Sequence, residues 1–150
     1  MVIQLRPIVR QDAKRLADLL GHLGYPTDEV TVRDRLGHWS DDPASVLIGA
    51  DDDGDLIGVA ALHTMPMLEV SGKLGRLLAL VVDERCRGRG AGRLLVAAAE
   101  ERAWAAGCVR MEITSSRHRV RTHDFYQRLG YEDRCASSAR FLKVLSPPGE

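Results

Sequence analysis

The chain has 150 residues, 45% hydrophobic and 28% charged, and this length and composition are typical of one globular domain, residues 1–150. Its 21 basic and 21 acidic residues balance, so no overall charge favours nucleic acid or an acidic membrane as a partner. The amino terminus lacks the apolar region of a secretory signal, no run approaches the ~20 apolar residues of a membrane span, and the three cysteines show no zinc spacing. We therefore expect a cytoplasmic protein with reduced thiols and no metal site.

The first part of the chain predicts one strand and two helices. Alternation over Val2–Arg6 predicts a strand that is broken at Pro7. Asp12 is predicted to cap a helix in which leucines recur at helical spacing as far as Gly24. A second helix is predicted from about Thr27 to His38. Its expected apolar anchors are Val30, Leu36 and Trp39.

A hairpin with an acidic turn follows. Ser45–Ala50 and Leu56–His63 are apolar runs of strand type, and Asp51–Asp55 between them contains the glycine of a tight turn. This turn lacks the ligand spacing and the closing glutamate of an EF-hand loop, so we interpret it as a solvated hairpin tip. After a loop over Met65–Gly75, the nearly continuous apolar run Lys73–Val82 predicts a strand buried on both faces.

The strand that ends at Val82 leads into a glycine-rich turn and then into a helical pattern. The first N–H groups of a helix have no intrahelical partner and carry partial positive charge, which favours phosphate. Glycines allow a ligand to approach the backbone, and arginines add charge; these residues are Gly88, Gly90, Gly92, Arg85, Arg87, Arg89 and Arg93. The spacing matches neither a P-loop nor a dinucleotide fingerprint. The sequence therefore predicts a site for another polyphosphate.

The helix after this turn is predicted to stop at Gly107. The residues expected on its buried side are Ala91, Leu94, Leu95, Ala98 and Ala105. A strand over Cys108–Thr114 then places Arg110 and Glu112 on the face away from Val109, Met111 and Ile113.

The last part of the chain predicts one more helix and the closing strands. The polar stretch Ser115–Arg121 precedes a helix that ends at Gly130. The side chains of interest in that helix are His123, Phe125, Tyr126 and Leu129. Closing strands are predicted from Tyr131, with the last of them over Arg140–Leu145.

Two segments resemble the signatures of the GNAT superfamily of N-acetyltransferases. Arg87–Gly92 (RGRGAG) resembles the R/Q-x-x-G-x-G/A motif that seats the pyrophosphate of acetyl-CoA. Phe125–Tyr131 (FYQRLGY), one helix and one strand later, resembles the F/L-Y-x-x-x-G-F/Y motif of the same superfamily. The resemblance implies an α+β fold of three layers, with a central mixed, mostly antiparallel sheet of six to seven strands flanked by about four helices.

The resemblance also implies a site and a reaction. Acetyl-CoA would be the co-substrate, and its acetyl group would pass directly to a primary amine of a small molecule or a peptide. The strand would pair with the pantetheine arm and the glycine-rich turn would hold the pyrophosphate, through Leu80, Val81, Val82, Arg87, Gly88, Arg89, Gly90, Ala91, Gly92 and Arg93. Tyr126 matches the tyrosine that protonates the departing thiolate, a role that suits a phenol with a reference pKa of about 10. Packing in a core is the alternative role of Tyr126.

The general base is the point at which the chain departs from the superfamily pattern. Many members carry a glutamate in the strand before the glycine-rich turn, where this chain has Leu78–Leu80. Glu112 lies on the next strand, where other members have a catalytic glutamate; a salt bridge with Arg110 or another arginine is its alternative role. His63, Glu69 and an amine that arrives uncharged are further options.

Other classes of function stay open at this point. A catalytically silent acyl-CoA-binding or regulatory domain would account for the missing strand glutamate. Arginines at 85–93 and 117–121 are compatible with nucleic-acid binding, which the balanced total charge disfavours. Cys86 lies between two arginines that would favour its thiolate, but no histidine–carboxylate pair is evident beside it, which disfavours covalent catalysis.

The sequence gives two indications about the acceptor and about assembly. The segment Thr122–Tyr126 is similar to the corresponding helix of aminoalkylphosphonate acetyltransferases. The acceptor is expected to be chosen by the helices within Leu16–Trp39 and by the loop over Met65–Gly75. The resemblance also allows a homodimer that pairs through the closing strands.

Overall fold

A computed structural model of the chain describes residues 2–114 and 120–148. These residues belong to two compact units, residues 1–114 and residues 115–150. The first unit holds the sheet and three of the helices, and the second holds the remaining helix and the carboxy-terminal segment. No helix in the described ranges is long and apolar enough to cross a lipid bilayer.

The elements of the first unit follow the predicted order. The strands are β1 Ile3–Pro7, β2 Ser45–Asp52, β3 Asp55–Pro66, β4 Lys73–Val82 and β5 Cys108–Ile113. The helices are α1 Ala13–Leu23, α2 Glu29–Asp41 and α3 Ala91–Ala105, with short 3-10 turns at Arg10–Asp12 and Glu84–Cys86. The second unit contains α4, Val120–Arg128.

The five strands form one sheet in the order β1-β2-β3-β4-β5. The first four strands pair antiparallel, whereas β4 and β5 pair parallel. The turn between β2 and β3 consists of Asp53 and Gly54, both at positive φ, as a two-residue hairpin requires. The observed sheet is therefore mixed and mostly antiparallel, which confirms the predicted fold class, with five strands among the described residues in place of six or seven.

Two layers of helix cover the sheet of the first unit. Leucines of α1 and Val32 and Leu36 of α2 pack with Leu56, Val59 and Val81 of the sheet. Ala103 of α3 packs with Leu62 and Cys108, and Leu95 of α3 lies against the Cα of Gly58. Both faces of the sheet thereby carry helices, but the prediction that β4 is buried on both faces holds only in part, because Gly75, Leu77 and Val81 are its buried residues and Leu78 is half-exposed.

The predicted first and second helices are present, but two of their details are wrong. Asp12 occupies the N-cap position of α1 as predicted, but its side chain makes no capping bond: its carboxylate accepts hydrogen bonds from the Arg6 guanidinium at 2.9 Å and from the Val9 N–H at 2.8 Å. Val30 is 73% exposed, while Val32 is 1% exposed and is the anchor of α2. Asp28 caps α2 by accepting from the Thr31 N–H, and this start sets which face of the helix is buried.

The buried side of α3 also differs from the prediction. The fully buried residues of this helix are Ala91, Leu95, Val96, Ala99 and Ala103. Leu94 and Ala105, which were predicted on the buried side, are exposed. The buried alanines at positions 91, 99 and 103 are separated by eight and four residues, which places them on one side of the helix. Their small side chains let α3 pack closely on the sheet.

The predicted closing strands are wrong for the described residues of the second unit, which contain no strand. Phe141, Leu142, Val144 and Leu145 are each more than three-quarters exposed. These apolar residues occur as two adjacent pairs, and neighbouring residues of a strand point to opposite faces. A strand over this segment would therefore have no single apolar face to bury. The prediction failed because it relied on apolar content without alternation.

Truncation of one leucine of α3 tests the corrected face. Leu95→Ala should lower the free energy of unfolding by about 2–5 kcal/mol, because Leu95 is fully buried. Leu94→Ala is the matched control and should change it by less than about 1 kcal/mol, because Leu94 is 42% exposed. Urea denaturation of the two variants measures both values. A larger loss for Leu94→Ala than for Leu95→Ala would contradict the assigned face.

Candidate active site

The carboxy-terminal half of β4 is paired on one edge only. β5 pairs with Lys73–Leu77 and ends opposite Leu77 at Ile113. The following residues, Ala79–Val82, pair with Ala61–Gly58 of β3. On their other edge, no strand of the described chain pairs with them. The divergence of β4 and β5 thus leaves a free strand edge of four residues.

The register shows which amide groups face this free edge. Asp83 donates its N–H to the Ile57 carbonyl at 2.8 Å, so its backbone points toward β3. In an antiparallel pair, successive residues alternate between pointing toward the partner strand and pointing away from it. Val81 therefore bonds β3, whereas Leu80 and Val82 present their N–H and C=O groups at the free edge. A ligand with amide groups can pair there as an added strand would.

A β-bulge marks the beginning of the free edge. Ala61 pairs with Ala79, but the next residue of β3, Leu62, pairs with Leu77, so Leu78 is an extra residue in β4. The extra residue of a bulge is left out of the regular ladder. Leu78 is half-exposed, so this irregular backbone lies at the surface where the two strands separate.

A buried carboxylate follows β4 directly. The side chain of Asp83 is 1% exposed and accepts hydrogen bonds from the guanidinium of Arg85, at 2.8 Å, and from that of Arg15 on α1. It also accepts from the Arg85 N–H at 2.9 Å. These bonds from Arg85 and Arg15 hold the pKa of Asp83 well below its usual range. The ion pairs join the end of β4 to α1 and fix the direction in which the chain leaves the sheet.

The glycine-rich turn places free N–H groups at the start of α3. Gly88 and Gly90 have φ of 82° and 85°, a left-handed conformation that glycine adopts without strain. The first hydrogen bond of α3 runs from the Leu94 N–H to the Gly90 carbonyl at 3.0 Å. The N–H groups of Ala91–Arg93 precede it and have no intrahelical acceptor. The turn therefore presents the helix terminus that the sequence predicts for phosphate.

The four predicted arginines of the turn divide into two kinds. Arg85 and Arg89 are bound to carboxylates, Arg89 to Asp52 of β2 at 2.9 Å. Arg87 is largely exposed and lies 3.7 Å from the equally exposed Glu84, and Arg93 is exposed. Arg87 and Arg93 are therefore the side chains available to a phosphate, while Arg89 ties the turn to the β2–β3 hairpin.

The tip of the acidic hairpin is solvated as the sequence predicts, since Asp53–Asp55 are exposed, but three of the hairpin carboxylates also bind arginines. Asp51 accepts from the Arg6 Nε at 2.7 Å, Asp52 from Arg89, and Asp55 from the Arg15 Nε at 3.2 Å. These arginines are between 37 and 45 residues away along the chain, which is why the local sequence shows no sign of the pairing. The carboxylates of the hairpin thus hold Arg6, Arg15 and Arg89 in place.

Two cavities lie where the acceptor is predicted to bind. One, of about 640 Å³, is lined by α1, the connection to α2 and the turn after β4, including Asp18, His22, Thr27 and Asp83. The other, of about 530 Å³, is lined by the loop between β3 and β4. The first cavity mixes acidic and basic side chains, which suits a ligand with polar groups.

The comparison with protein families assigns the chain. Residues 13–131 match the model of the acetyltransferase (GNAT) family. The chain belongs to the GNAT family. This match spans the glycine-rich turn and the Phe125–Tyr131 segment, so the resemblance of the two motifs is confirmed at the level of the family.

Solved structures share the GNAT fold over nearly the whole chain. A GNAT family acetyltransferase from Staphylococcus aureus is 26% identical, with a TM-score of 0.79 and coverage of 97% of this chain and 100% of that one. An aminoglycoside N-acetyltransferase, AAC(6')-Iy, in complex with CoA is 18% identical, with a TM-score of 0.80 and coverage of 97% and 95%. A transcriptional regulator from Bacillus halodurans is 21% identical, with a TM-score of 0.84 and coverage of 97% and 100%. A comparison with curated proteins found no match.

The predicted catalytic residues lie in different units. Tyr126 lies on α4 of the second unit, where its ring makes edge contacts with Phe125 and Tyr131 at centroid distances of 5.3 and 6.0 Å. Glu112 lies on β5 of the first unit and accepts a hydrogen bond from Arg76 of β4 at 2.9 Å. Glu112 is thus paired with an arginine, although not with Arg110. The segment 115–119 that connects the two units lies outside the described residues.

Asp83 offers a test of this arrangement by stability. Asp83→Asn should lower the free energy of unfolding at pH 7 by about 3 kcal/mol, because it leaves Arg15 beside a neutral group in a buried position. The folded-state pKa of Asp83 is depressed, so its contribution is present above the unfolded value of about 3.9 and is lost as the pH falls below it. Urea denaturation between pH 7 and pH 3 measures this difference.

Asp55→Asn is the matched control, because Asp55 holds the same Arg15 from an exposed position. Asp55→Asn should lower the free energy of unfolding by less than about 1 kcal/mol. A difference between wild type and Asp83→Asn that stays constant with pH, or an equal loss for Asp55→Asn, would contradict the assigned role.

Proposed function

We propose that this protein is an acetyl-CoA-dependent N-acetyltransferase that transfers the acetyl group directly to a primary amine of a small molecule or a peptide. The observation that carries the proposal is the free edge of β4, which runs from a bulge at Leu78 into the glycine-rich turn. An extended ligand with amides in its middle and phosphates at one end fits this order of groups. CoA has that constitution, and a solved structure with the same fold contains CoA.

The cofactor is proposed to bind through backbone groups. The amides of the pantetheine arm pair with Leu80 and Val82, and Val81 between them anchors the strand through its bond to β3 and its buried side chain. The pyrophosphate accepts hydrogen bonds from the turn Gly88–Arg93 and lies at the positive end of α3. Arg87 adds charge from the surface.

The chemistry needs an oxyanion donor, an acid and a base. An amide freed at the Leu78 bulge is proposed to donate to the thioester oxygen, and Tyr126 is proposed to protonate the thiolate. Glu112 is the base that the sequence predicts, and it would have to leave its ion pair with Arg76 to take the proton of the acceptor amine. Deprotonation of the acceptor amine is therefore the step for which the family motifs of this chain supply no unpaired carboxylate.

The acceptor is proposed to bind in the first unit beside the Leu78 bulge, where the thioester is proposed to lie, on the face of the sheet that carries α1 and α2. The polar side chains of this region, including His63 and Arg76, favour an amine that carries other polar groups. A suitable panel contains a polyamine, an amino sugar, an aminoglycoside, an aminoalkylphosphonate and a peptide with a free amino terminus. Release of the CoA thiol reports turnover with each of them.

Removal of one arginine tests the cofactor site. Arg87→Ala should weaken CoA binding about tenfold, which corresponds to about 1.4 kcal/mol, and should reduce its dependence on salt. Arg102→Ala is the control, because Arg102 is exposed at the opposite end of α3 and should leave the dissociation constant unchanged. Isothermal titration calorimetry with CoA measures both. Absence of CoA binding to the folded wild-type protein would overturn the proposed function.

Removal of one hydroxyl tests the proposed acid. Tyr126→Phe should lower kcat on the order of 100-fold while CoA binding stays the same, because the thiolate then departs without a proton donor. Tyr131→Phe is the control: Tyr131 packs against Tyr126 and occupies a motif position at which the family accepts Phe or Tyr. Binding of CoA without turnover of any amine in the panel would identify a silent acyl-CoA-binding domain instead.

A further inference from the structure

A row of polar side chains crosses four strands of the sheet in the first unit. Ser45 of β2 pairs with His63 of β3, His63 with Arg76 of β4, and Arg76 with Glu112 of β5. Directly paired residues of neighbouring strands lie on the same face of a sheet. We call these four residues the polar row. Val59 lies on the same face as His63 and packs under α1 and α2, so the polar row belongs to the face that carries these helices.

His63 is held at one ring nitrogen by a serine and an aspartate. The Ser45 Oγ lies 2.9 Å from the His63 Nδ1 and 2.9 Å from the Asp42 Oδ2. Bonds from the Ala44 N–H and the Ser45 hydroxyl keep the pKa of Asp42 below its usual range, so this carboxylate has no proton to give. The hydroxyl of Ser45 therefore donates its hydrogen bond to Asp42, and the Ser45 Oγ accepts a hydrogen bond from the Nδ1–H of His63.

The consequence is a defined tautomer of His63. With the proton on Nδ1, the neutral ring carries an unshared electron pair on Nε2. No hydrogen bond to Nε2 is present among residues 2–114 and 120–148. The side chain is about one-third exposed, so Nε2 can be reached by a ligand or a water molecule.

His63 lies close to the point at which β4 and β5 separate. His63 is two residues from Ala61 on the same face of β3, a distance of about 7 Å along the strand, and Ala61 pairs with Ala79, the first residue of the free edge. The Leu78 bulge lies between the His63–Arg76 and Ala61–Ala79 pairs. A water molecule or the acceptor itself can bridge this distance.

The charges that face His63 favour this group over Glu112 as the base. Asp42 lies 3.8 Å from its Nδ1 and Arg76 is its register partner on β4, with Glu112 beyond Arg76. Glu112 already accepts from Arg76, whose shielded Nε has no hydrogen-bond partner within the described part of the chain. Withdrawal of Glu112 would leave the guanidinium of Arg76 with still fewer partners, whereas Nε2 of His63 has no hydrogen-bond partner to give up within the described residues.

We propose that His63 is the general base of the acetyl transfer and that Ser45 and Asp42 are its positioning residues; this inference rests on the proposed function. Nε2 takes one proton from the acceptor ammonium, and the neutral amine attacks the thioester carbon. The C–N bond forms, the C–S bond breaks, and the thiolate takes a proton from the acid of the reaction. After the attack, the nitrogen loses one more proton, which reprotonates the conjugate base of that acid. The imidazolium of His63 then gives its proton to water.

The first experiment needs no acceptor. Two-bond proton–nitrogen correlation NMR on the wild-type protein labelled with 15N-histidine should show neutral His63 as the Nδ1–H tautomer. Ser45→Ala should shift it toward the Nε2–H tautomer, and Ser45→Thr, which keeps the hydroxyl, should restore the wild-type pattern. An Nε2–H tautomer in the wild-type protein would overturn the proposal, because Nε2 would then have no lone pair to offer.

The second experiment uses each amine of the panel that wild-type protein acetylates. His63→Gln should lower kcat/KM on the order of 100-fold at pH 7, leave CoA binding unchanged, and recover as the pH rises and the amine loses its own proton. It should also remove the fall in rate that protonation of the imidazole causes on the acid side of the pH profile. His38→Gln is the control, since His38 is an exposed histidine beside Asp34 on α2.

The outcomes separate this inference from the proposed function. Wild-type turnover with an unchanged pH profile in His63→Gln overturns the role of His63 and leaves an acetyltransferase. Loss of the acid limb in Glu112→Gln but not in His63→Gln also overturns it, in favour of Glu112. Binding of CoA with no turnover in the wild-type protein overturns both, because no acceptor proton then needs a base.

Discussion

The hydrogen bonding of β4 is the constraint on which the rest of the site depends. A strand between two neighbours satisfies its amide groups on both edges, as β4 does from Leu74 to Leu77. Beyond the bulge at Leu78, β5 has ended, and β3 is the one strand of the described residues that still pairs with β4. The amides of Leu80 and Val82 then need water or a ligand. The position of β5, which is set by its packing with Gly75 and α3, therefore decides where an extended cofactor can add itself to the sheet.

Arginine–carboxylate pairs hold the glycine-rich turn at the end of this free edge. Asp83 binds Arg15 of α1 and Arg85 of the turn, and Asp52 binds Arg89. A buried charge is costly unless it is paired, so these contacts act together to specify one path for the chain between β4 and α3. These contacts lie within the chain itself, and a turn that the fold holds in place loses less entropy when it binds a ligand. The N–H groups of Ala91–Arg93 lie before the first hydrogen bond of α3 and have no intrahelical acceptor.

The polar row shows how a sheet can supply a proton acceptor from a neighbouring strand. The position at which many family members carry a strand glutamate is apolar here, at Leu78–Leu80. His63 reaches the same region from β3, and it is oriented by a serine and an aspartate that the register of β2 brings beside it. In an antiparallel sheet, a side chain on one strand can thus take the place of a side chain on the adjacent strand, provided that both lie on the same face.

Local patterns explain which predictions are confirmed. The glycine-rich turn, its two left-handed glycines and the helix that follows are set by residues within a few positions of one another. The order of strands and helices follows from periodicity in the same way. The errors at Val30, Leu94 and the closing strands share one cause. The first two errors concern which face of a helix packs on the sheet, and the third concerns whether a partner strand is present. The residues of a single segment determine neither of these.

The sequence by itself determined the family, the order of the elements and the position of the glycine-rich turn, because short-range backbone preferences and two contiguous motifs suffice for these. Tertiary structure alone decided the free edge of β4, the carboxylates that bind Arg15 and Arg89, and the contact between Ser45 and His63. The paired residues are 68, 37 and 18 positions apart for Arg15–Asp83, Asp52–Arg89 and Ser45–His63. Such contacts arise from strand register and from the packing of α1, so the chemistry of the site depends on geometry that only the folded chain creates.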